Sequence, residues 1–345
     1  MYLQFRFEKE GKDDKTEKQT DNVLEHKSEI KFDFFWMQRE ISTYYRGKEE
    51  VTLPYTLTAM GFTIPSPSVY VLQFTSPANL NPMTFKWVSE LFFCLEYFER
   101  LCDCKVLVLT GSGRAFSSGA DAGMLEVLAK GASISPADYV KHLGQEVFDR
   151  QSGYDLFGKG QVGFPDISCI GLTRRLLNFS KISISAVNGF AVGGAANISM
   201  LLTDYCFCCP ASFFRYPFSD RGVPPELGSS LLLPLAVGAA RAKHFLVKGE
   251  RITAQTALSL GLVHRVVQTE EALVAEAVEF AAEFASARNY PGRRLGKKSV
   301  NDSVLALLEV SDTLGRENRL FLKSTNTPYF QTVTTLLLSK IKPKM

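Results

Sequence analysis

Histidine and tryptophan are scarce in this chain, with four His and two Trp among 345 residues. The imidazoles, His26, His142, His244 and His264, are scattered, which argues against a metal centre. No apolar run reaches the length that spans a bilayer, and the N-terminus lacks the apolar segment of a secretory signal. An excess of one charge is also missing. The formal net charge is +3, too small and dispersed to imply a nucleic-acid partner. Cysteine occurs seven times, an odd number, with clusters at Cys102 and Cys104 and at Cys206, Cys208 and Cys209. These thiols read as mostly buried and reduced, hence an intracellular protein. What the chain has in quantity is apolar mass: 46% hydrophobic residues and 26 Phe, enough to bury a sizeable core in one or two domains.

Residues 8 to 50 are rich in Lys, Glu and Asp, with little apolar periodicity before Phe32. Residues 1–65 therefore read as a polar, partly flexible N-terminal extension, with Phe32 to Trp36 suited to anchor it. Ile64-Pro-Ser-Pro-Ser68 looks like a punctuated entry to the globular part. From there the patterns alternate. Val69 to Phe74 predicts a strand, Thr84 to Leu101 an amphipathic helix, and Cys104 to Leu109 a strand buried on both faces. Ile182 to Val187 and Tyr205 to Cys209 continue the strands, and Glu271 to Arg288, Asp312 to Leu322 and Gln331 to Leu338 predict helices. This is an α/β pattern with a helical tail: a core over 66–268 and a C-terminal region over 269–345. An insertion at about 129–178 contains the flexible stretch Gly158 to Gly163, and a loop of this length is either functional or disordered.

Two strand-to-glycine turns carry chemistry. The first is Phe116-Ser-Ser-Gly-Ala-Asp121, where glycine lets the backbone turn sharply and present free N–H groups. The second, Gly189 to Gly194, leads into Ala195 to Leu202, which reads as a buried helix whose dipole reinforces the Gly194 N–H. Taken singly, either turn reads as a structural bend. Together they supply two donors able to converge on one carbonyl oxygen. The segment Tyr216 to Ser230 adds a single carboxylate, Glu226, in a bend of Pro, Gly and small residues. Glu226 is either a proton carrier beside that oxygen or a helix-start residue after Pro224-Pro225.

In their order, Phe116–Asp121, Ala186–Gly194 and Gly249–Val267 resemble the enoyl-CoA hydratase/isomerase, or crotonase, superfamily over roughly Ser68 to Ser339. The resemblance implies an α/β fold, a spiral of β-β-α units with a helical C-terminal region that packs homotrimers or dimers of trimers. It also implies a coenzyme A thioester whose carbonyl lies between the N–H groups of Ala120 and Gly194. Ser117, Ser118, Gly119 and Asp121 would line the coenzyme A side, with Gly193, Asn197, Phe218 and Leu227 completing the pocket. Coenzyme A arrives with the substrate, so neither a metal nor a redox cofactor is implied.

The acids distinguish reactions. Asn197 and Phe218 stand where hydratases of this family resemble one another in two Glu residues, and neither side chain exchanges a proton near neutral pH. Glu226 stands where the peroxisomal type of Δ3,Δ2-enoyl-CoA isomerase has its single catalytic Glu. The resemblance thus implies that isomerase activity, in the oxidation of unsaturated fatty acids. Two rivals stand beside it: another crotonase reaction, hydration or dienoyl-CoA isomerisation, served by a second carboxylate such as Glu146 or Asp149; and a non-catalytic scaffold. Asp121 reads as a turn-stabilising or pocket-edge residue, Asp220 and Arg221 as a solvated loop pair. Arg293 to Lys298 is either a contact for coenzyme A phosphates or a surface helix face. The C-terminal Pro343-Lys344-Met345 resembles a peroxisomal address while departing from Ser-Lys-Leu.

Overall fold

The computed structural model describes residues 42–46, 49–53, 57–129 and 169–341. Outside them lie the rest of the expected N-terminal extension with Phe32 to Trp36, most of the 129–178 insertion with Glu146, Asp149 and Gly158 to Gly163, and the terminal Pro343-Lys344-Met345. Strands β1 (Ser42–Arg46) and β2 (Glu49–Leu53) pair antiparallel.

The main sheet begins earlier than the punctuation at Ile64 to Ser68 suggests. Met60, Phe62 and Ile64 are buried at alternate positions of β3 (Met60–Ser66), and this period of two builds a strand across Pro65. Proline is tolerated because β3 is an edge strand whose register shifts between Thr63 and Ser66. Pro67 and Ser68, the latter at φ 63°, turn the chain into β4 (Val69–Phe74). The segment expected as an entry is therefore the bend of a hairpin.

Helix α1 (Phe85–Arg100) follows, with Thr84 accepting the Trp87 N–H at 3.0 Å as its cap. Strand β5 (Val106–Gly111) is buried at every position, as is β6 (Ile182–Val187), because both are interior parallel strands. Helices α2 (Ala122–Ala129) and α3 (Gly171–Asn178) lie between them in sequence. Strands β8 (Tyr205–Cys208) and β11 (Arg265–Val266) complete the order β11-β8-β6-β5-β4-β3, parallel throughout except for the β3–β4 hairpin. A small second sheet joins β7 (Phe190–Val192), β9 (Phe213–Arg215) and β10 (Ile252–Thr253).

One face of the main sheet packs against α1 through Trp87, Leu91, Leu95 and Phe98. On the other, helix α5 (Glu270–Ser286) lays Leu273, Ala277, Ala281 and Ala285 on Val106, Val108, Ile182 and Ile184. Their spacing of four keeps one side of the helix on the sheet, and small residues let the backbones approach. Helix α4 (Ser229–Val237) precedes this region in sequence; α6 (Tyr290–Val310), α7 (Thr313–Thr325) and α8 (Pro328–Ile341) follow it. All seven cysteines are free. Cys206 and Cys209 are three apart yet belong to opposite faces of the sheet, so strand geometry separates their thiols.

Helix α6 is anchored more by polar contacts than by apolar ones, burying only Tyr290 and Leu308. Arg294 donates to the Ser180 carbonyl at 3.0 Å, and Lys297 donates to the Lys181 carbonyl at 2.6 Å and to Asp204 at 2.7 Å. Arg293 lies over the Phe284 ring, so three of the four basic residues dock this helix, while Lys298 pairs with Asp302 on its exposed side.

The loop before α1 is tied to the turn after β5 by Asn81, which is buried at φ 50°. Its amide accepts the Ser76 N–H at 2.9 Å and donates to the Ser112 and Ala115 carbonyls at 2.9 and 2.8 Å. Asn81→Ala is expected to lower the unfolding free energy by roughly 2–4 kcal/mol, read by denaturant titration. A loss within the scatter of neutral surface substitutions would show that these bonds do not hold the turn.

Candidate active site

The two glycine turns lie against each other at the ends of β5 and β6. A Cβ on Gly189 would collide with the Arg114 carbonyl oxygen, and one on Gly119, at φ 82°, would stand 2.5 Å from the Val192 carbonyl oxygen. Glycine is thus required at both contacts. Ser117 and Ala191 pair as a single parallel bridge, with Phe116 N–H donating to Phe190 at 3.0 Å and Val192 N–H donating to Ser117 at 3.1 Å. This bridge fixes the register between the two turns.

On the outer side of the first turn, Met83 uses both of its backbone groups: its N–H donates to Gly119 and its carbonyl accepts from Asp121. Ala120 sits between those partners and pairs with Met83 as a second isolated parallel bridge. In the second turn Gly193, at φ 60° and ψ −126°, reverses the chain, and Gly194 opens the buried helix Gly194–Asn197, continued by a wider π turn over Ile198–Leu202. Gly194 is the helix's first residue, where the N–H has no partner within the helix.

Glu226 completes the arrangement. A Cβ on Gly194 would stand 3.0 Å from Glu226 Oε1, 3.0 Å from the Leu227 side chain and 3.3 Å from Met83 Cε. The Cys169 thiol donates to Oε2 at 3.7 Å, and the Gly194 backbone close to Oε1 favours the charged form. A narrow edge of the residue stays accessible while protein packs around the carboxyl. Burial, with the Glu317 carboxylate nearby, raises its pKa from the ordinary 4.5 to about 7. The carboxyl therefore titrates near neutral pH.

The expected lining residues divide into two groups. Leu227 and Phe218 face the glycines: Phe218 is within 4.0 Å of a Cβ on Gly193 and stacks on Tyr216. Ser118 is partly exposed and Ala120 exposed. Ser117, Asp121 and Asn197 do other work. Ser117 is fully buried and its hydroxyl accepts the Gly119 N–H at 3.2 Å, so it braces the inside of the turn. Asp121 caps α2, accepting from Gly123 and Met124 at 2.8 and 3.2 Å, which makes it a turn-stabilising residue. Asn197 is fully buried and donates from Nδ2 to the Glu226 carbonyl at 2.9 Å, clamping the backbone of the base from behind. Asp220 pairs at 2.6 Å with Arg215, not with Arg221 as the sequence suggests, because the short helix Phe218–Arg221 turns it toward β9.

Cys169 and Glu317 are new members of the site. Cys169 falls in the expected insertion and Glu317 in the middle of a C-terminal helix, and neither is marked by a local motif. Only the fold brings them to Glu226. A groove of about 350 Å³ between α3, α6 and α7, lined by Ile170, Arg174, Leu308 and Leu314, adjoins the site through Leu308, which lies against Gly228.

The enoyl-CoA hydratase/isomerase family model matches residues 65–150 and 162–344. A 1,2-epoxyphenylacetyl-CoA isomerase of Escherichia coli (strain K12) is 28% identical over 249 residues, 72% of this chain and 84% of that protein. A crotonyl-CoA hydratase of Syntrophomonas wolfei is 30% identical over 235 residues, 68% of this chain and 78% of that one. Among solved structures, an enoyl-CoA hydratase/isomerase from Pseudoalteromonas atlantica T6c aligns with a TM-score of 0.63 at 25% identity, covering 84% of this chain and 100% of the other. These relatives carry both isomerase and hydratase names.

The raised pKa of Glu226 has a consequence for stability. The folded protein holds this proton more tightly than the unfolded chain does. The resulting stabilisation is full below about 4.5 and is lost as pH rises to and through about 7. Above that, folding must bury a charge. Glu226→Gln removes this cost, so the mutant should gain stability over wild type as pH rises from about 5 to about 8, by up to about 3 kcal/mol. Paired thermal melts across that range would read it; a constant difference would contradict the shifted pKa.

Proposed function

This chain belongs to the enoyl-CoA hydratase/isomerase family and has the crotonase α/β fold, and within that family we propose that it is a Δ3,Δ2-enoyl-CoA isomerase with Glu226 as its single acid/base. The observation that carries this reading is one largely enclosed carboxyl with a pKa of about 7 beside the Gly194 N–H, while Asn197 and Phe218 occupy the neighbouring positions with side chains that do not titrate.

The chemistry needs no more than this. The Glu226 carboxylate removes a proton from C2 of a 3-enoyl thioester, and the electron pair moves into a dienolate whose charge rests on the thioester oxygen. The N–H groups of Ala120 and Gly194 donate to that oxygen, and each such donor is worth a few kcal/mol of barrier. Glu226, now protonated, returns the proton at C4, leaving the double bond between C2 and C3. Atoms and electrons balance without an oxidant or a second acid. Coenzyme A enters as part of the substrate.

In the ligand-free geometry the carboxyl lies against the Gly194 backbone and its N–H. A thioester oxygen arriving at that N–H would displace it toward the substrate carbons. Leu227 and Phe218 keep the surroundings apolar, and Asn197 holds the Glu226 backbone while the side chain swings.

Hydration is the second reading, favoured by the hydratase names among the relatives. It requires a water held between two carboxylates, and the two family positions for them are Asn197 and Phe218. The test is conversion of trans-3-hexenoyl-CoA to the 2-enoyl isomer, with hydration of the 2-enoyl product assayed in parallel. Isomerisation should dominate, fall about 10²- to 10⁴-fold in Glu226→Gln, and lose activity below pH of about 7 as the base is protonated. Dominant hydration would support the hydratase reading. Undiminished isomerisation in the mutant would mean that another group is the base. Acyl-CoA binding with no turnover would favour a scaffold.

A further inference from the structure

We propose that Glu317, carried by α7, is a positioning residue for Glu226: its carboxylate fixes the left-handed bend at Leu227 and Gly228 and so sets where the base stands. The bend is strained. Leu227 has φ 54° and Gly228 φ 75°, two successive left-handed residues immediately after Glu226. A non-glycine residue holds that conformation only where its surroundings over-determine it.

The surroundings do so from across the fold. Glycine at the start of α4 offers no side chain to cap the helix. Glu317 takes that place, accepting the Gly228 N–H at 2.8 Å on Oε2, and the Ser230 N–H at 2.9 Å and Ser230 hydroxyl at 2.5 Å on Oε1. Its acceptors are thus aimed at a backbone whose first residues are Glu226's own neighbours. Asn197 and the Ser229 hydroxyl hold the Glu226 carbonyl from the other direction, at 2.9 and 2.7 Å. Glu317 itself is buried. A buried carboxylate used only to cap a helix would be a costly choice, since a serine or aspartate at the N-cap serves that purpose locally.

The charge matters as well as the hydrogen bonds. The titratable groups facing Glu226 are the Cys169 thiol and Glu317; those facing Glu317 are Glu226 and Arg316. Two buried carboxyls near one another do not both ionise freely. Burial raises the Glu317 pKa, but three donors on its oxygens and Arg316 work against that and favour its charged form. Glu226 has a weak thiol donor on its oxygens and the larger rise, to about 7, so it takes the proton first. Glu317 thereby holds the base's proton affinity up while holding its backbone in place.

The test compares wild type with Glu317→Gln, which keeps the shape and removes the charge. The Glu226 carboxyl is titrated in the protein without substrate by infrared difference spectroscopy, its band assigned with Glu226→Gln. Its midpoint should move to lower pH. With an enoyl-CoA substrate, kcat should fall on the order of 10- to 100-fold with KM nearly unchanged. The acid limb should shift with the midpoint. The kinetic part rests on the isomerase reading; the titration does not, so failure of one is distinguishable from failure of the other. An unmoved midpoint overturns the proposal, even if stability and kcat fall together, because that is what a merely structural cap would give. Should Glu317→Gln not fold, Ser230→Ala removes one donor and leaves the charge. It should lower kcat about fivefold at unchanged melting temperature, and unchanged kcat would overturn the proposal.

Discussion

Two backbone turns at the ends of β5 and β6 touch where neither can carry a side chain, and the site depends on that contact. Gly119 against the Val192 carbonyl and Gly189 against the Arg114 carbonyl bring the chains within a distance only glycine permits. The Ser117–Ala191 bridge then registers them. The parallel sheet below supplies the rigidity: both strands are buried throughout, so the turns at their ends inherit fixed positions. Donors on loops alone would wander. Donors on turns locked to an interior sheet are oriented before any substrate arrives, and this preorganisation is what makes an oxyanion site effective.

Around that frame the protein keeps one carboxyl largely out of water. Burial and a like charge oppose ionisation of Glu226, and the opposition costs folding stability at neutral pH. The cost is offset elsewhere by contacts that have no chemical role, among them the helix α5 alanine face on the sheet and the polar docking of α6. The strained Leu227 belongs to the same pattern: a locally unfavourable bend, held by Glu317, Asn197 and Ser229, next to the residue expected to act. Strain, desolvation and close backbone approach converge on one small volume. In the interior strands, local preference and global structure agree.

The sheet interior was legible because its strands obey simple periodicities. Val69–Phe74 and Ile182–Val187 stand where their apolar runs predict, and Thr84 caps α1 as its side chain allows. The β3 hairpin was hidden by Pro65 and Pro67, punctuation that an edge strand tolerates. Helix α6 gave little apolar signal, since arginine, lysine and asparagine do much of its docking. At the site, glycine turns and the lone acid were visible as motifs. The inward-facing roles of Ser117, Asp121 and Asn197 were not, because spacing along the chain does not say which way a short polar side chain turns. Cys169 and Glu317 were beyond reach for a different reason. They meet Glu226 only through long-range packing, 57 residues away for Cys169, and no local pattern records such a meeting.

If one shielded carboxyl serves both carbons, the hydrogen it takes from C2 is the one it returns at C4. The most direct test is a single turnover of 3-hexenoyl-CoA deuterated at C2, quenched and analysed for label position. A shielded Glu226 acting alone predicts deuterium at C4 of the 2-enoyl product, since a buried carboxylic acid exchanges its proton with solvent slowly. A product with none of the label at C4 would contradict a shielded Glu226 that passes the proton directly.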